Sequence, residues 1–419
     1  MLRTKRRKVL FIAALIVVFG VVLFVVLSEG SSAAVTADGR RIAIEKITFG
    51  TRHSFTQGKW WVRLLKPIRG ERWAVQRGYS DVRITNDVPA LMVWTRWEGV
   101  HRLNAGVAVE ATVLDETGIE SELVLNRWNA LPWSLSGGPG PQDGYVAWLF
   151  SNFPRRAEKI HLRIYDRDRQ YVSTRQAAEI AFSNPARKRI AEWRGSGLPL
   201  IITTNNFQFA LTSVQPASNA LWRFNFVVRT NGQPDYSWLI GGITATSASG
   251  NIFGTRSNLA TTVATNLSFQ LRGALWPEEP VWRFATEFFR AVDFQPNELW
   301  TLTNIAIPTR ALPFRLTTNF IAHANRQAEF TLESVPSFRP GVRRNANVSV
   351  RFEAADLHLF LLSASDDQGR QIKFEVDRGV PRMVYLFGLA IPAGAQSVNL
   401  TFAICRPTVV AFDAATKSW

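Results

Sequence analysis

The sequence predicts a mainly β chain in which three antiparallel β-sandwich domains follow one another behind an N-terminal transmembrane helix. Three observations carry that prediction. A strand-like phrase occurs twice, "LPLIITTNNF" from Leu198 and "LPFRLTTNF" from Leu312, 114 residues further on; self-similarity at a fixed period marks a duplicated structural unit. Within the units the hydrophobic period is two, the period of a strand with one buried face. One long uncharged apolar run stands close to the N-terminus.

Residues 1–8 form a basic tail containing Arg3, Lys5, Arg6, Arg7 and Lys8. Val9–Leu27 follows, 19 residues without a charge; as a helix rising ~1.5 Å per residue it spans roughly 28 Å, enough to cross a hydrocarbon core. No basic residue then appears until Arg40, so the positive-inside rule puts the N-terminus in the cytoplasm and the rest of the chain outside it. The expected location is the cell membrane, crossed once by a signal anchor. "SSAA" at Ser31–Ala34 leaves a cleaved signal peptide as the competing reading, against which the length of the apolar run weighs. Both readings export the same ectodomain.

Residues 28–40 read as a linker, 41–190 as the first sandwich, 191–310 as the second and 311–419 as the third. In the second and third, "LPxx[IL]TTN" reads as the first strand, with Pro blunting an edge where its missing N–H costs no ladder bond. The first unit starts near "RIAIEKITFG" at Arg41. A second landmark pairs "FPRRAEKIHLRI" at Phe153 with "IPAGAQSVNLTF" at Ile391, with "FQPNELWTLTNI" at Phe294 as the expected middle counterpart. The third landmark is a turn closed by glycine, at Gly118, Gly250 and Gly369, each opened by an acidic or hydroxyl residue.

Inside the units, "LWRFNFVVR" sets Trp222, Phe224, Phe226 and Val228 against Arg223, Asn225 and Arg229. "NVSVRFEA" sets Val348, Val350 and Phe352 against Ser349 and Arg351 in the same way. With Gly, Pro and Asn turn clusters between such runs, the pattern is that of antiparallel sandwiches rather than βαβ units. Helix is expected only in short pieces: one opened by Asn184 and Pro185 in "SNPARKRIAEW", while "EEPVWRFATEFFRAV" from Glu278 reads as a strand followed by a loop or short helix. The pattern resembles bacterial immunoglobulin-like modules, a resemblance that implies fold and no particular site.

The chemistry-bearing residues are sparse. Cys405 is the one cysteine, so no intrachain disulfide forms, and its place after "VNLTFAI" reads as a small buried hydrophobe. The five histidines stand singly, without metal-site spacing, and no nucleophile elbow, P-loop or dinucleotide fingerprint occurs. Asp166 and Asp168 alternate with Arg167 and Arg169, which points to cross-strand salt pairing more than to a cation site. No cofactor, no metal and no catalytic residue is therefore expected, and the formal +16 charge shows no nucleic-acid stripe, its excess lying toward the membrane end.

The most individual segment is "NRWNALPWSLSGGPGPQDG", Asn126–Gly144, in the unit that holds eight of the fifteen tryptophans. Arg127, Trp128 and Trp133 are its candidate ligand-binding residues, since an exposed indole suits a sugar ring, a protein hot spot or a headgroup layer. The bland alternative is that these rings fold back onto a core. The leading expectation is a non-enzymatic, membrane-anchored envelope protein whose partner is another envelope protein or a second copy. A glycan-binding protein using the Trp-rich loop is the alternative, and an enzyme of unrecognised type stays open because triads are assembled in space.

Overall fold

The computed structural model describes residues 32–37, 39–57, 60–76, 79–100, 109–125, 128–129, 142–167, 174–186, 190–218, 220–256, 267–290, 292–308, 313–320, 326–335, 344–352, 357–376 and 384–419. Val9–Leu27 lies outside them. Among the described residues no helix is long and apolar enough to cross a membrane. The chain is mainly β, built of antiparallel sheets, and divides into two compact units, Met1–Lys188 and Arg189–Trp419.

The first unit contains β1 (Ala33–Val35), β2 (Arg41–Gln57), α1 (Trp60–Arg69), α2 (Glu71–Gln76), β3 (Ser80–Val100), β4 (Val109–Leu114), β5 (Val124–Leu125), β6 (Trp128–Asn129), β7 (Gln142–Phe150), β8 (Lys159–Arg167) and β9 (Thr174–Ser183). One sheet runs β1-β2-β3-β7-β6 and the other β5-β4-β8-β9. Alternate residues of both meet in one core: Leu91, Val93 and Trp97 of β3 and Trp148 and Phe150 of β7 against Ala111 and Val113 of β4 and Leu162 and Ile164 of β8. Each such large side chain contributes about 1.5–3 kcal/mol by leaving water. The unit's first edge strand is Ala33–Val35, upstream of Arg41, and it pairs with the start of β2.

β2 and β3, 17 and 21 residues long, outrun the sheet. β7 pairs with β3 only from Leu91 onward, so Arg52–Gln57 against Ser80–Thr85 continues as a two-stranded arm beyond bulges at Ile44/Lys46 and Gly50/Arg52. α1 and α2 form a helical hairpin at its end, an element that the strand-like reading of the sequence misses. Gly70 ends α1 in the left-handed region, φ +86°, with its N–H on the Lys66 carbonyl at 2.9 Å, a glycine C-cap.

The second unit contains β10 (Leu200–Thr204), β11 (Phe207–Ser218), β12 (Leu221–Thr230), β13 (Gln233–Pro234), β14 (Trp238–Ser247), β15 (Ile252–Arg256), β16 (Leu267–Arg272), β17 (Val281–Arg290), β18 (Leu299–Ala306), β19 (Phe314–Phe320), β20 (Arg326–Val335), β21 (Arg344–Phe352), β22 (His358–Asp366), β23 (Lys373–Val376), β24 (Val384–Ile391), β25 (Ser397–Cys405) and β26 (Thr408–Ala415). β10-β11-β12-β13, with β16 beside β12, faces β15-β14-β17-β26. Aromatic rings join the two sheets: Phe209 to Phe288 at 4.7 Å, Phe224 to Phe284 at 4.8 Å and Phe226 to Phe412 at 5.9 Å. The other pair, β18-β25-β22 over β19-β20-β21-β24-β23, closes on Trp300, Phe330, Val348, Val350, Phe387, Leu400 and Phe402.

The twice-written phrase is an edge strand both times: among the described residues β10 pairs only with β11, and β19 only with β20. The glycine turns also coincide. Gly118, Gly250 and Gly369 have φ of +84°, +98° and +75°, and each N–H meets the carbonyl three residues back, on Asp115, Ser247 and Asp366. Asp115 accepts the N–H groups of Thr117 and Ile119, and Asp366 those of Gln368 and Arg370. Where the middle copy has only the Ser247 hydroxyl, buried Glu279 reaches in to supply the carboxylate, 3.2 Å from it.

Two expectations need correction. The middle counterpart of the Phe153 and Ile391 segments is Leu275–Thr286, not Phe294–Ile305: the Trp276–Glu279 turn leads into β17, which pairs with β14 before the Gly250 turn, as β8 pairs with β4 before Gly118 and β25 with β22 before Gly369. The short helix expected after Asn184 and Pro185 falls on residues 187–189, outside the described residues. The buried Asn184 amide donates toward the Pro154, Arg155 and Ala157 carbonyls at 2.9–3.0 Å, and its Oδ1 accepts the Ala186 N–H, pinning the corner before β8. Leu299–Ala306, read as the tail of the second sandwich, pairs with β25 in the last sheet pair, and Thr408–Ala415 crosses back to β17.

Candidate functional site

The residues singled out by sequence are not brought together as a described site. Arg127 and Trp133 lie outside the described residues. Trp128 is described in its backbone alone, opening the edge strand β6 opposite Ala147. Of the other tryptophans in the first unit, Trp94, Trp97 and Trp148 are fully buried. Trp97 and Trp148 fill the sandwich core, while Trp94 faces the opposite side of the sheet and stacks on Phe55 with centroids 4.7 Å apart.

Histidines and acids are mostly tied into structure. His161 Nδ1 lies 3.1 Å from Glu179, whose other oxygen accepts Arg163 Nε at 3.0 Å. Arg163 also pairs with Glu120, and Glu120 accepts the Tyr165 hydroxyl at 3.2 Å. Burial pushes the Tyr165 hydroxyl above its ordinary pKa, with the Glu120 charge adding to it. The network lies on the outward side of β8, while the side chains of Asp166 and Asp168, around which salt pairing is expected, lie outside what the structure describes. Buried His358 meets Glu287 at 3.0 Å and packs 4.4 Å from the Phe289 ring, tying β22 to β17. His101 and His323 lie outside the described residues, and among those described no group of three His, Cys, Asp or Glu could hold a metal ion. Cys405 is buried beside Phe289 and Phe360, and burial, with Glu298 adding, pushes its thiol to about 12.

A different arrangement carries unspent chemistry. β19, β20 and β21 turn their outward side chains onto a shallow concavity of about 510 Å³. Strand alternation builds it: Leu316, Phe330, Val348 and Val350 point to the core, so Arg315, Thr317, Glu329, Glu333, Ser349 and Arg351 point out. The register sets Thr317, Glu329 and Arg351 in one row and Arg315, Thr331 and Ser349 in the next. In contrast to the Arg163 network, none of Arg315, Arg351, Glu329 and Glu333 is held in an ion pair among the described residues, although all four charges line one hollow. Such a face offers two guanidinium forks and two carboxylates to an incoming surface of mixed charge. Sequence reading sees the exposure of Ser349 and Arg351 from their alternation with Val348 and Val350. It has no means of seeing Arg315 and Glu329 beside them.

Family models, curated proteins and solved structures were all compared with this chain, and none matches. The fold therefore sets the class: among the described residues, a mainly β protein of antiparallel sheets.

Proposed function

We propose that this chain is a non-enzymatic, membrane-anchored envelope protein that presents three tandem immunoglobulin-like sandwiches for protein interaction, with the β19–β20–β21 hollow as a docking face. The observation that carries the reading is the set of four charged side chains, none held in an ion pair among the described residues, lining one concave sheet face. A protein partner of mixed surface charge suits it better than a polyanion, because two carboxylates would repel the latter. Cell-membrane placement with the N-terminus inside rests on the uncharged run Val9–Leu27 and the basic residues before it.

The test places a photo-crosslinking amino acid at Ser349 in the full-length protein in its native cells, followed by capture and identification of the adduct. The expected result is a discrete protein adduct that weakens at least tenfold in an Arg351→Glu/Glu329→Arg double variant with unchanged folding. A Ser349 variant giving no adduct, or one indifferent to the charge swap, overturns the docking face. The second reading, glycan binding through Arg127, Trp128 and Trp133, is favoured by the position of Trp128 on the edge strand of its sheet. Recovery of wall polymer that is lost on replacing both tryptophans by alanine would support it.

A further inference from the structure

We infer that the α1–α2 hairpin, Trp60–Gln76, lies on the surface of an anionic lipid bilayer, with Leu64, Ile68 and Val75 entering the acyl boundary. The inference stands apart from the docking face just described, and involves none of its residues. The polarity of the hairpin is what calls for it. Leu64 is 65% exposed, Ile68 77% and Val75 58%, three large apolar side chains in two adjoining short helices. Single exposed apolar residues are ordinary, whereas a cluster built into one element marks an interaction surface.

Helical spacing makes the cluster a stripe. Trp61, Leu64, Leu65 and Ile68 stand at i, i+3, i+4 and i+7, so they share one face of α1. Val62, two residues from Leu64 and thus on nearly the opposite side, is fully buried with Ala74 and Tyr79. Lys66 lies over the Tyr79 ring at 4.2 Å and 3.2 Å from Glu71, and Arg63 donates to the Thr56 carbonyl. The hairpin therefore packs inward through Val62 and Ala74, with Trp61 and Trp73 against the same cluster, and turns Leu64 and Ile68 to solvent. Trp61 and Trp73 meet edge to face at 6.0 Å at the seam between the two helices, amphipathic rings of the type that settle at a headgroup layer.

Charge selects the occupant. The hairpin carries Arg63, Lys66, Arg69 and Arg72 against the single acid Glu71. Arg69 and Arg72 are exposed beside the stripe. An exposed apolar stripe flanked by an excess of arginine and lysine suits an anionic lipid surface, where the apolar side chains enter the interface and the guanidinium groups meet phosphates.

The experiment uses the full chain, with Cys405→Ala as background, reconstituted into vesicles of phosphatidylcholine alone or with one third phosphatidylglycerol. Nitroxide labels are placed singly at Leu64→Cys and Ile68→Cys, with Glu116→Cys on the exposed turn of the same unit as a water reference. Relaxation by oxygen and by a nickel chelate then gives the depth of each label. In anionic vesicles the labels at 64 and 68 are expected to gain oxygen and lose nickel accessibility, while the label at 116 stays in water. Arg69→Glu/Arg72→Glu should return both to water-like values, since each basic side chain near such a surface changes binding about fivefold. Labels at 64 and 68 that match 116 in both vesicles overturn the inference. Labels shielded from nickel and oxygen alike also overturn it, because protein, a partner or a second copy, then covers the stripe.

Discussion

Phe412 of β26 sits directly opposite Phe284 of β17, although 128 residues separate them. The C-terminal strand of the chain thus completes a sheet of the middle sandwich after the last one has been built. Arg283 and Asp413 clamp the same strand pair with two parallel bonds of 2.8 and 2.9 Å, and Trp419 packs on Trp222 and Phe284. Replacing Phe412 by alanine should destabilise the second unit by about 3–5 kcal/mol, the usual cost of emptying a buried aromatic site. Deleting residues 408–419 should cost more, since it also bares the edge of β17. Chemical denaturation followed by aromatic fluorescence and circular dichroism checks both. A Phe412→Ala midpoint equal to that of the parent would show that β26 is dispensable.

Asp235 supplies an acid-sensitive fastening. Burial alone would raise its pKa, but the Ser237 hydroxyl and N–H, the Thr230 hydroxyl and the Trp238 indole all donate to it and hold it at about 2. The folded carboxylate titrates below its unfolded value, so its stabilisation is complete above about pH 4 and is lost as pH falls through 2. Thermal melts from pH 5 to pH 2 should therefore fall less steeply in Asp235→Asn than in the parent, from a lower starting Tm.

Cys405 should behave as a reporter of opening. With its thiol pushed to about 12 and its side chain packed beside Phe289, Phe360 and Ala403, it should resist alkylation in the folded protein at pH 8 and react fully in denaturant. Rapid labelling without denaturant would mean that the Phe289–Phe360 contact opens readily.

The glycines divide into two kinds. Gly118 and Gly369 have positive φ but open space where a Cβ would stand, so alanine at either should cost only the left-handed conformation, ~1–2 kcal/mol. Asparagine should cost less. Gly241 is the reverse: a Cβ there would lie 2.0 Å from the Phe289 ring, so Gly241→Ala must move that ring and the bulged β14–β17 pairing around it. Its cost should reach the ~1–3 kcal/mol of an overpacked core or exceed it. Parallel denaturation curves of the three alanine variants rank them directly.

His53 adds a second acid-sensitive titration, at higher pH. It is buried, its Nδ1 lies 2.7 Å from the Thr48 hydroxyl, and burial lowers its pKa. The unfolded state then binds the proton more readily, so stability contributed by neutral His53 is full above pH 6.5 and declines as pH falls below it. A His53→Gln variant should show a flatter stability profile between pH 7 and pH 5.

Much of the fold was legible because its signals are local. Alternation along 222–228 and 348–350 told which side chains face the core, and the glycine turns showed where strands reverse, since a positive φ three residues after an acceptor is a property of four adjacent residues. The α1–α2 hairpin was not legible. Its i, i+3, i+4, i+7 spacing was present, but Trp61, Val62 and Pro67 weigh against helix, and its inverted polarity has meaning only once Val62 is seen to be the buried side. The charged hollow was half legible: outward positions followed from period two, while their neighbours came from strands up to 36 residues away.

By itself, then, the sequence determined a mainly β chain with repeated edge strands and glycine turns, each the product of steric and hydrogen-bonding rules acting over a few residues. Only the tertiary structure decided that β26 returns to β17, that β18 belongs with β25, and that the corner before β17 begins at Trp276. Those choices compare one strand with every other strand able to cover the same apolar face. Burial of Phe226 against Phe412 accompanies the first and of Trp300 against Phe402 the second, and no local pattern encodes that packing.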